Sequence, residues 1–235
     1  MKIEDYVRAN EFDRWVGKLQ TEKVIELGVG NSILDIGCGI GQFTPMFTKK
    51  WKRVVGLDPD LMCLQTARTA GLKNKVEYIE GWGETFDLNE RFDTITMNNL
   101  LEHVESPVKV LQNCKRHLST DGVIIVQVPN RESVARQLGV LMGVIPSLDD
   151  NSKREQELYG HRRTYSLETI LGEVTQAGLK SIKWGGILYK PLPNEMLYEL
   201  SQKYGEYWTN RFIKALVKYG EDKPGDCAQL YVVCA

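Results

Sequence analysis

Three histidines make the search for a general base short, because histidine is the side chain whose ordinary pKa lies near neutral pH. His103 follows a predicted buried strand and His161 precedes a predicted helix, so both fall where an active site is expected. Each can take a proton from a substrate hydroxyl or hold a substrate by a hydrogen bond. His117 lies on a predicted helix ahead of a turn, which predicts a surface position. We therefore name His103 and His161 as the candidate catalytic residues.

The residues around His161 offer groups that can bind a substrate. Arg162 and Arg163 suit planar, bidentate contacts with a phosphate or carboxylate, although an exposed pair before a helix is the alternative. Tyr165 closes the same segment. Tyr189 begins a stretch rich in aromatic residues, whose rings can wall a pocket, contact a cationic amine or pack in the core. These four are the candidate substrate-binding residues.

One stretch invites a metal interpretation. Asp149, Asp150 and Asn151 carry the oxygen ligands that magnesium prefers. Consecutive acids in a polar stretch are more typical of a solvated loop. The five cysteines form an odd set without a C-x-x-C pair, which favours reduced thiols over a disulfide framework or a zinc site. We therefore predict no metal centre.

Chemistry at these positions needs a scaffold, and a glycine-rich turn indicates its type. A short apolar run ends in Gly37, Gly39 and Gly41, where missing side chains let a ligand approach the backbone. Seventeen residues after Gly41, a second apolar run ends on Asp58. A glycine turn after one strand and an acid at the tip of the next are typical of an adenosine-binding α/β domain.

The spacing of the turn discriminates between cofactors. A dinucleotide fingerprint reads G-x-G-x-x-G, whereas position 42 here is Gln42. Asp35 lies two residues before the first glycine, where a carboxylate repels a pyrophosphate and can hold an ammonium group. The sequence therefore favours a cationic ligand that carries adenosine over NAD.

These residues resemble motif I and the following acid of the class I S-adenosylmethionine-dependent methyltransferases, and the similarity extends from about Ser32 to Asn130. It implies S-adenosylmethionine as cofactor and S-adenosylhomocysteine as product. By this resemblance the glycine turn contacts the methionine part and Asp58 accepts both ribose hydroxyls. The segment from Gly81 to Glu84 departs from the family pattern of an acid followed by a small residue beside adenine. Here Trp82 either stacks on adenine or packs on the sheet edge. The implied cofactor-binding residues are Asp35, Gly37, Cys38, Gly39, Gly41, Asp58, Pro59, Trp82, Gly83, Glu84 and Asn98.

A second motif narrows the acceptor. The segment from Leu101 to Val104, Leu-Glu-His-Val, is similar to the corresponding motif of small-molecule methyltransferases, including the type 11, 12 and 23 groups and the quinone-biosynthesis O-methyltransferases. It differs from the Asn-Pro-Pro-Tyr type of motif in enzymes that methylate nucleobases. Mainly from Arg162, Arg163 and the mixed polarity of the insertions, we expect an oxygen or nitrogen nucleophile on a small polar metabolite, such as a sugar or a phosphorylated intermediate. An NAD-dependent oxidoreductase and a non-catalytic S-adenosylmethionine-binding protein are the alternatives.

The resemblance implies a Rossmann-like α/β fold with a seven-stranded sheet of order 3-2-1-4-5-7-6, in which strand 7 is antiparallel. We expect a single domain over residues 1–235, with an N-terminal helical lid at 1–30 and helical acceptor-site insertions at 131–165 and 187–225. Strand five is predicted to begin at Gly122 after a turn, and strand six to cover Ser181 to Trp184.

Bulk composition limits the partners. The 30 basic and 31 acidic residues give a net charge of −1 without a long run of either sign, so a nucleic-acid partner is not expected. Acids near the N-terminus argue against a signal peptide, and the apolar stretch from Leu138 to Ile145 is too short for a membrane span. We predict a cytoplasmic protein that is a monomer or a homodimer.

Overall fold

A computed structural model describes residues 11–69, 75–151 and 160–235. Seven strands form one sheet in the order β3-β2-β1-β4-β5-β7-β6, which confirms the predicted order. Strand pairs among β1 to β5 are parallel, and β7 runs antiparallel to both β5 and β6. The strands are β1 Ser32–Ile36, β2 Arg53–Asp58, β3 Glu77–Glu80, β4 Phe92–Asn98, β5 Leu118–Pro129, β6 Ser181–Ile187 and β7 Gln229–Cys234.

Helices cover both faces of the sheet, and alternate strand residues supply the two cores. Leu34 and Ile36 of β1 point to one core, whereas Ile33 points to the other. Nearly continuous burial of β1, β2 and β4 is the pattern of parallel strands covered on both sides. The helices are α1 Glu11–Leu27, α2 Leu61–Thr69, α3 Pro107–Arg116, α4 Val134–Leu141, α5 Leu167–Gln176 and α6 Asn194–Glu221, with short 3₁₀ turns at Thr44–Lys49 and Pro224–Asp226.

The predicted insertions carry helices α4 and α6. The amide of Asn194 at the start of α6 donates a hydrogen bond to the Asp13 carboxylate of α1, which joins the insertion to the N-terminal helix. Helix α6 is interrupted at Gly205, whose φ of +77° lies in the left-handed region that glycine tolerates. The sequence also predicts that Gly71 ends the helix after β2, but this residue lies outside the described residues. Within the ranges given above, no helix combines the length and the apolarity that crossing a bilayer requires.

Three local predictions are wrong. Strand β5 begins at Leu118, so the expected turn before Gly122 is part of the strand, and β6 continues to Ile187. His117 is 4% exposed rather than on the surface. His117 directly precedes β5. The His117 ring packs against Phe86, with 4.5 Å between the ring centroids, and its Nε2 accepts a hydrogen bond from the Leu88 backbone N–H.

Asp93 ties the amino-terminal ends of three central strands together. Its Oδ2 accepts hydrogen bonds from the backbone N–H groups of Asn31 and Ser32, at 2.7 and 3.1 Å, and from the Ser32 hydroxyl at 3.0 Å. Its Oδ1 accepts one from the Ser119 hydroxyl at 3.0 Å. These donors, with the Asn31 backbone foremost, hold the pKa of Asp93 below its ordinary value.

We expect Asp93→Ala to lower the free energy of unfolding by roughly 1.5 to 3 kcal/mol at pH 7, the usual worth of hydrogen bonds to a charged group. Because the folded pKa is depressed, the difference from wild type is full above the ordinary value of 3.8 and shrinks as the pH falls through the folded pKa. Urea denaturation over this pH range measures it. Asp121→Ala, which removes an exposed carboxylate from β5, is the control. An equal loss in both variants contradicts the role of Asp93.

Candidate active site

A cleft of about 1650 Å³ opens over the carboxyl ends of β1, β2 and β4. This is where ligands bind in open α/β sheets. Of the residues predicted from the sequence, the cleft wall contains Asp35, Gly37, Cys38, Asp58, Pro59, Trp82, Gly83, Glu84, Asn98, His103, His161 and Arg162. The predicted Gly39, Gly41, Arg163, Tyr165 and Tyr189 lie outside this wall.

The glycine turn connects β1 to the 3₁₀ turn that follows it. The N–H groups of Gly37 and Cys38 both donate to the Leu57 carbonyl of β2, at 2.8 and 3.2 Å. Gly37, Gly39 and Gly41 have φ values of +76°, +51° and +68°, in the region where a side chain is unfavourable. At Gly41 a Cβ atom would also lie 2.5 Å from the Tyr78 hydroxyl. The turn therefore requires glycine for backbone conformation and for space.

Asp58, the last residue of β2, faces this turn. Its Oδ2 accepts a hydrogen bond of 2.8 Å from the Gly39 N–H, and its Oδ1 accepts one of 3.0 Å from the Asp60 N–H. A carboxylate has about four lone-pair positions, so each oxygen retains capacity for one more donor. The carboxylate is thus fixed in orientation and able to accept a pair of neighbouring hydroxyls.

Asp35 is a buried carboxyl group on the same wall. It is 6% exposed, and its Oδ2 accepts a hydrogen bond of 2.6 Å from the Thr44 hydroxyl. Burial raises the pKa of Asp35 to about 7; the Thr44 hydrogen bond opposes this shift, and the nearby Asp58 charge adds to it. A cation placed beside Asp35 would favour the ionised form. The sequence singled out Asp35 but gave no sign of Thr44 as its partner.

The loop after β3 forms one rim of the cleft. The Asn113 amide of α3 donates to the carbonyls of Gly83 and Phe86, at 3.2 and 2.9 Å, which fixes the loop backbone. Trp82 on this loop is 66% exposed, so the indole is not packed on the sheet edge. With Glu84 beside it in the wall, the rim presents a flat apolar face and a carboxylate.

Gln20, a cleft residue that the sequence analysis did not identify, comes from α1. Gln20 of α1 is 2% exposed and exchanges two hydrogen bonds with the Asn99 amide, at 3.1 and 3.2 Å. Asn99 has a φ of +52°, a conformation that asparagine tolerates better than most residues. The Gln127 amide donates to the Gln20 carbonyl at 3.0 Å. The apolar periodicity of α1 reveals its packing face but not this polar contact.

The two candidate catalytic histidines meet, although 58 positions separate them in the chain. The ring centroids of His103 and His161 are 4.9 Å apart, with the planes at 76°. Burial and the adjacent His161 lower the pKa of His103 to about 4, so this ring is neutral at pH 7. Glu102, next to it, is 1% exposed, and burial raises its pKa to about 8.

Arg163 and Tyr165, predicted to bind substrate, instead hold the His161 segment against the turn after β4. The Arg163 guanidinium donates to the carbonyls of Leu101 and Val104, at 2.6 Å each. Tyr165 is 1% exposed, and its hydroxyl donates to the Glu173 carboxylate at 2.9 Å. The sequence could not separate these roles, because a guanidinium suits a backbone carbonyl as well as a substrate anion.

Two other predictions have different outcomes. Tyr189 packs edge-on against Tyr219 with ring centroids 4.8 Å apart, and it lies half-buried against the core on the α6 side of the sheet rather than in the cleft wall. Arg162 does line the cleft, and its backbone N–H donates to the Glu102 carbonyl at 2.9 Å. Asp149, which the sequence analysis considered as a magnesium ligand, forms an ion pair with Arg131 at 2.7 Å.

Known proteins share both the sequence pattern and the fold. A family model described as "Methyltransferase domain" matches residues 8–183. A ubiquinone biosynthesis O-methyltransferase of Actinobacillus pleuropneumoniae is 32% identical over 120 residues, which is 48% of this chain and 51% of that protein. The chain thus spans about half the length of the curated relatives that it matches first.

Solved structures agree in fold. An S-adenosylmethionine-dependent methyltransferase from Mesorhizobium loti superposes with a TM-score of 0.64 at 16% identity, covering 95% of this chain and 99% of that one. A possible histamine N-methyltransferase from Thermotoga maritima gives a TM-score of 0.64 at 22% identity, covering 96% and 94%. On the extent of the family match, with the strand order and the glycine turn, the chain belongs to the class I S-adenosylmethionine-dependent methyltransferase family.

Proposed function

We propose that this chain transfers a methyl group from S-adenosylmethionine to an oxygen or nitrogen nucleophile of a small polar metabolite. The observation that carries the proposal is the pair of buried carboxyl groups, Asp35 and Asp58, on either side of the glycine turn in one cleft. The family match supports the same donor. The named relatives include both an O-methyltransferase and a possible N-methyltransferase, so the proposal covers either nucleophile.

The residues of the cleft fit the charge pattern of the donor. S-adenosylmethionine carries an ammonium group and a sulfonium, and a buried carboxyl group such as Asp35 is stabilised in its ionised form by such a cation. Asp58 would accept the ribose hydroxyls with its remaining lone pairs. The exposed indole of Trp82 would stack on adenine, and Glu84 would accept from the amino group of the base. A pyrophosphate would meet the Asp35 carboxylate with like charge, which disfavours NAD.

When bound, the cofactor supplies a methyl group already activated on sulfur. The work left to the protein is to align the acceptor in line with the methyl, to exclude water and, for a hydroxyl acceptor, to remove a proton. Neutral His103 and its neighbour His161 stand in the wall where the acceptor would lie, and Asn98 ends β4 in the same wall. We propose these histidines as positioning groups or bases.

Basic and polar residues of α1, α3 and the two insertions line the cleft. We propose that α1 and the insertions close over the substrate. Acids line the wall as well, so the proposal of an anionic acceptor rests on Arg162, whose guanidinium suits a phosphate or a carboxylate. The basic wall residues are Arg14, Lys109, Arg136, Arg162 and Lys190.

Replacing Asp58 tests the donor site. Asp58→Ala should weaken S-adenosylmethionine binding by about 1 to 3 kcal/mol, because hydrogen bonds to the ribose hydroxyls are lost. Isothermal titration calorimetry measures the change, with Asp222→Ala, an exposed acid at the end of α6, as the control. Unchanged affinity in Asp58→Ala would show that the ribose is held elsewhere.

The pH dependence of binding tests Asp35. With a pKa of about 7 in the free protein, Asp35 is protonated at lower pH and offers the ammonium group no charge. Affinity for S-adenosylmethionine should therefore rise with pH by up to about tenfold per unit below pH 7 and level off above it. Calorimetry between pH 5.5 and 8 gives the slope, and Asp35→Asn should remove it. A slope that persists in Asp35→Asn assigns the titration to another group.

Product analysis tests the reaction itself. The protein is incubated with S-adenosylmethionine and a panel of sugars, phosphorylated amines and quinone precursors, and mass spectrometry follows methylated products and S-adenosylhomocysteine. We expect transfer to an anionic acceptor, reduced by Arg162→Ala with little change in cofactor affinity. Cofactor binding without any product across the panel would favour a non-catalytic binding protein, and binding of NAD alone would favour an oxidoreductase.

A further inference from the structure

Three potential metal ligands meet on the acceptor side of the cleft. Glu102, His103 and His161 each place one ligand atom so that all three lie within 4.8 Å of one another. All three residues line the cleft. Two imidazole nitrogens and one carboxylate oxygen are a donor set that binds zinc, iron, manganese or cobalt in proteins.

The Glu102 carboxyl group lacks the partners that a buried acid normally has. The residue is 1% exposed, and among the described residues no other residue donates a hydrogen bond to Oε1 or Oε2. A buried carboxylate that accepts no hydrogen bond from another residue is costly unless a cation accompanies it. The Arg163 guanidinium is near, but it donates to backbone carbonyls instead. The two Glu102 oxygens therefore have lone pairs available to bind a positive ion.

The backbone holds the two halves of this cluster together. The Arg162 N–H bonds to the Glu102 carbonyl at 2.9 Å, which fixes the residue after His161 to the residue before His103. The Arg163 guanidinium adds bonds to Leu101 and Val104 on either side of the Glu102–His103 pair. Ligands that are far apart in sequence are thus positioned by a rigid frame before any ion binds, as a metal site requires.

The ligand atoms are close enough for modest side-chain rotations to complete a site. Bonds of about 2.0 to 2.2 Å place two ligands of a tetrahedral ion about 3.3 to 3.6 Å apart. The three ligand atoms here lie within 4.8 Å of one another. Rotations that bring them closer by up to about 1.5 Å would reach the spacing of a loaded site. Magnesium prefers oxygen ligands alone, so a mixed nitrogen and oxygen set favours a transition metal.

The geometry points to Glu102, His103 and His161 as a binding site for one divalent transition-metal ion. Three protein ligands leave positions open, as in catalytic rather than structural sites. Resting on the proposed function, we further infer that an acceptor oxygen occupies an open position. An ion there would lower the pKa of an acceptor hydroxyl and orient its oxygen toward the methyl group.

The test uses the full chain after dialysis against a chelator. Calorimetry with Zn²⁺ and the visible absorption of added Co²⁺ should both show one ion per chain. Glu102→Gln and His161→Asn should each weaken binding at least tenfold. Asp87→Asn is the matched control, because it removes the carboxylate 3.5 Å from His117, an acid and histidine pair outside the cleft. Circular dichroism and S-adenosylmethionine binding confirm that each variant is folded.

Two results would overturn the site: no binding of either ion by wild type, or equal binding by wild type and both ligand variants. Acetohydroxamate, a ligand with two oxygen donors, then probes the open positions and should shift the Co²⁺ spectrum. An unchanged spectrum would overturn the inference about the acceptor. Ion binding that depends on Glu102 and His161 in a protein that transfers no methyl group would refute the proposed function and leave the metal site standing.

Discussion

The central constraint on this molecule is that its parallel strands are buried on both faces. Every side chain within β1, β2 and β4 must pack or find a partner, so polar groups with a task are restricted to the strand ends. Asp58 and Asn98 are the last residues of their strands, and Asp35 is the next to last of β1. Because these strands are parallel, their ends meet at one edge of the sheet. The location of the cleft follows from this arrangement alone.

Burial also leaves two carboxyl groups of the cleft that a cationic ligand would stabilise. Asp35 and Glu102 are carboxyl groups whose ionised forms are destabilised by their surroundings, and each lacks a bonded cationic side chain in the described structure. A protein of marginal stability keeps such groups at a cost of free energy. The cost is offset when a positive ligand binds. In the proposed function the ammonium of the donor stabilises Asp35, and a metal ion would do the same for Glu102.

The donor side is predictable from sequence because its determinants are local. Three alternate glycines and an acid at the next strand tip lie within 22 residues, from Gly37 to Asp58. The acceptor side is not local. His103 and His161 come together only in the folded chain, and Gln20 bonds to Asn99 across 79 positions. Glu102 becomes a candidate ligand only through its proximity to His161, 59 residues away in the sequence. Arg163 and Tyr165 had the right residue types for substrate binding, yet their partners proved to be backbone carbonyls and Glu173.

The same long-range bonds position His161, which lies in an insertion, before any substrate binds. A loop that carries His161 would pay conformational entropy to bring its ring to His103 at the moment of binding. Here the Arg162 backbone N–H and the Arg163 guanidinium donate to carbonyls of the turn after β4. These hydrogen bonds form whether or not a substrate is bound. The ordering cost is therefore met by folding, and the free energy of acceptor binding is left to align the nucleophile. In the proposed function, Arg163, which lies outside the cleft wall, thus determines how well His103 and His161 are placed.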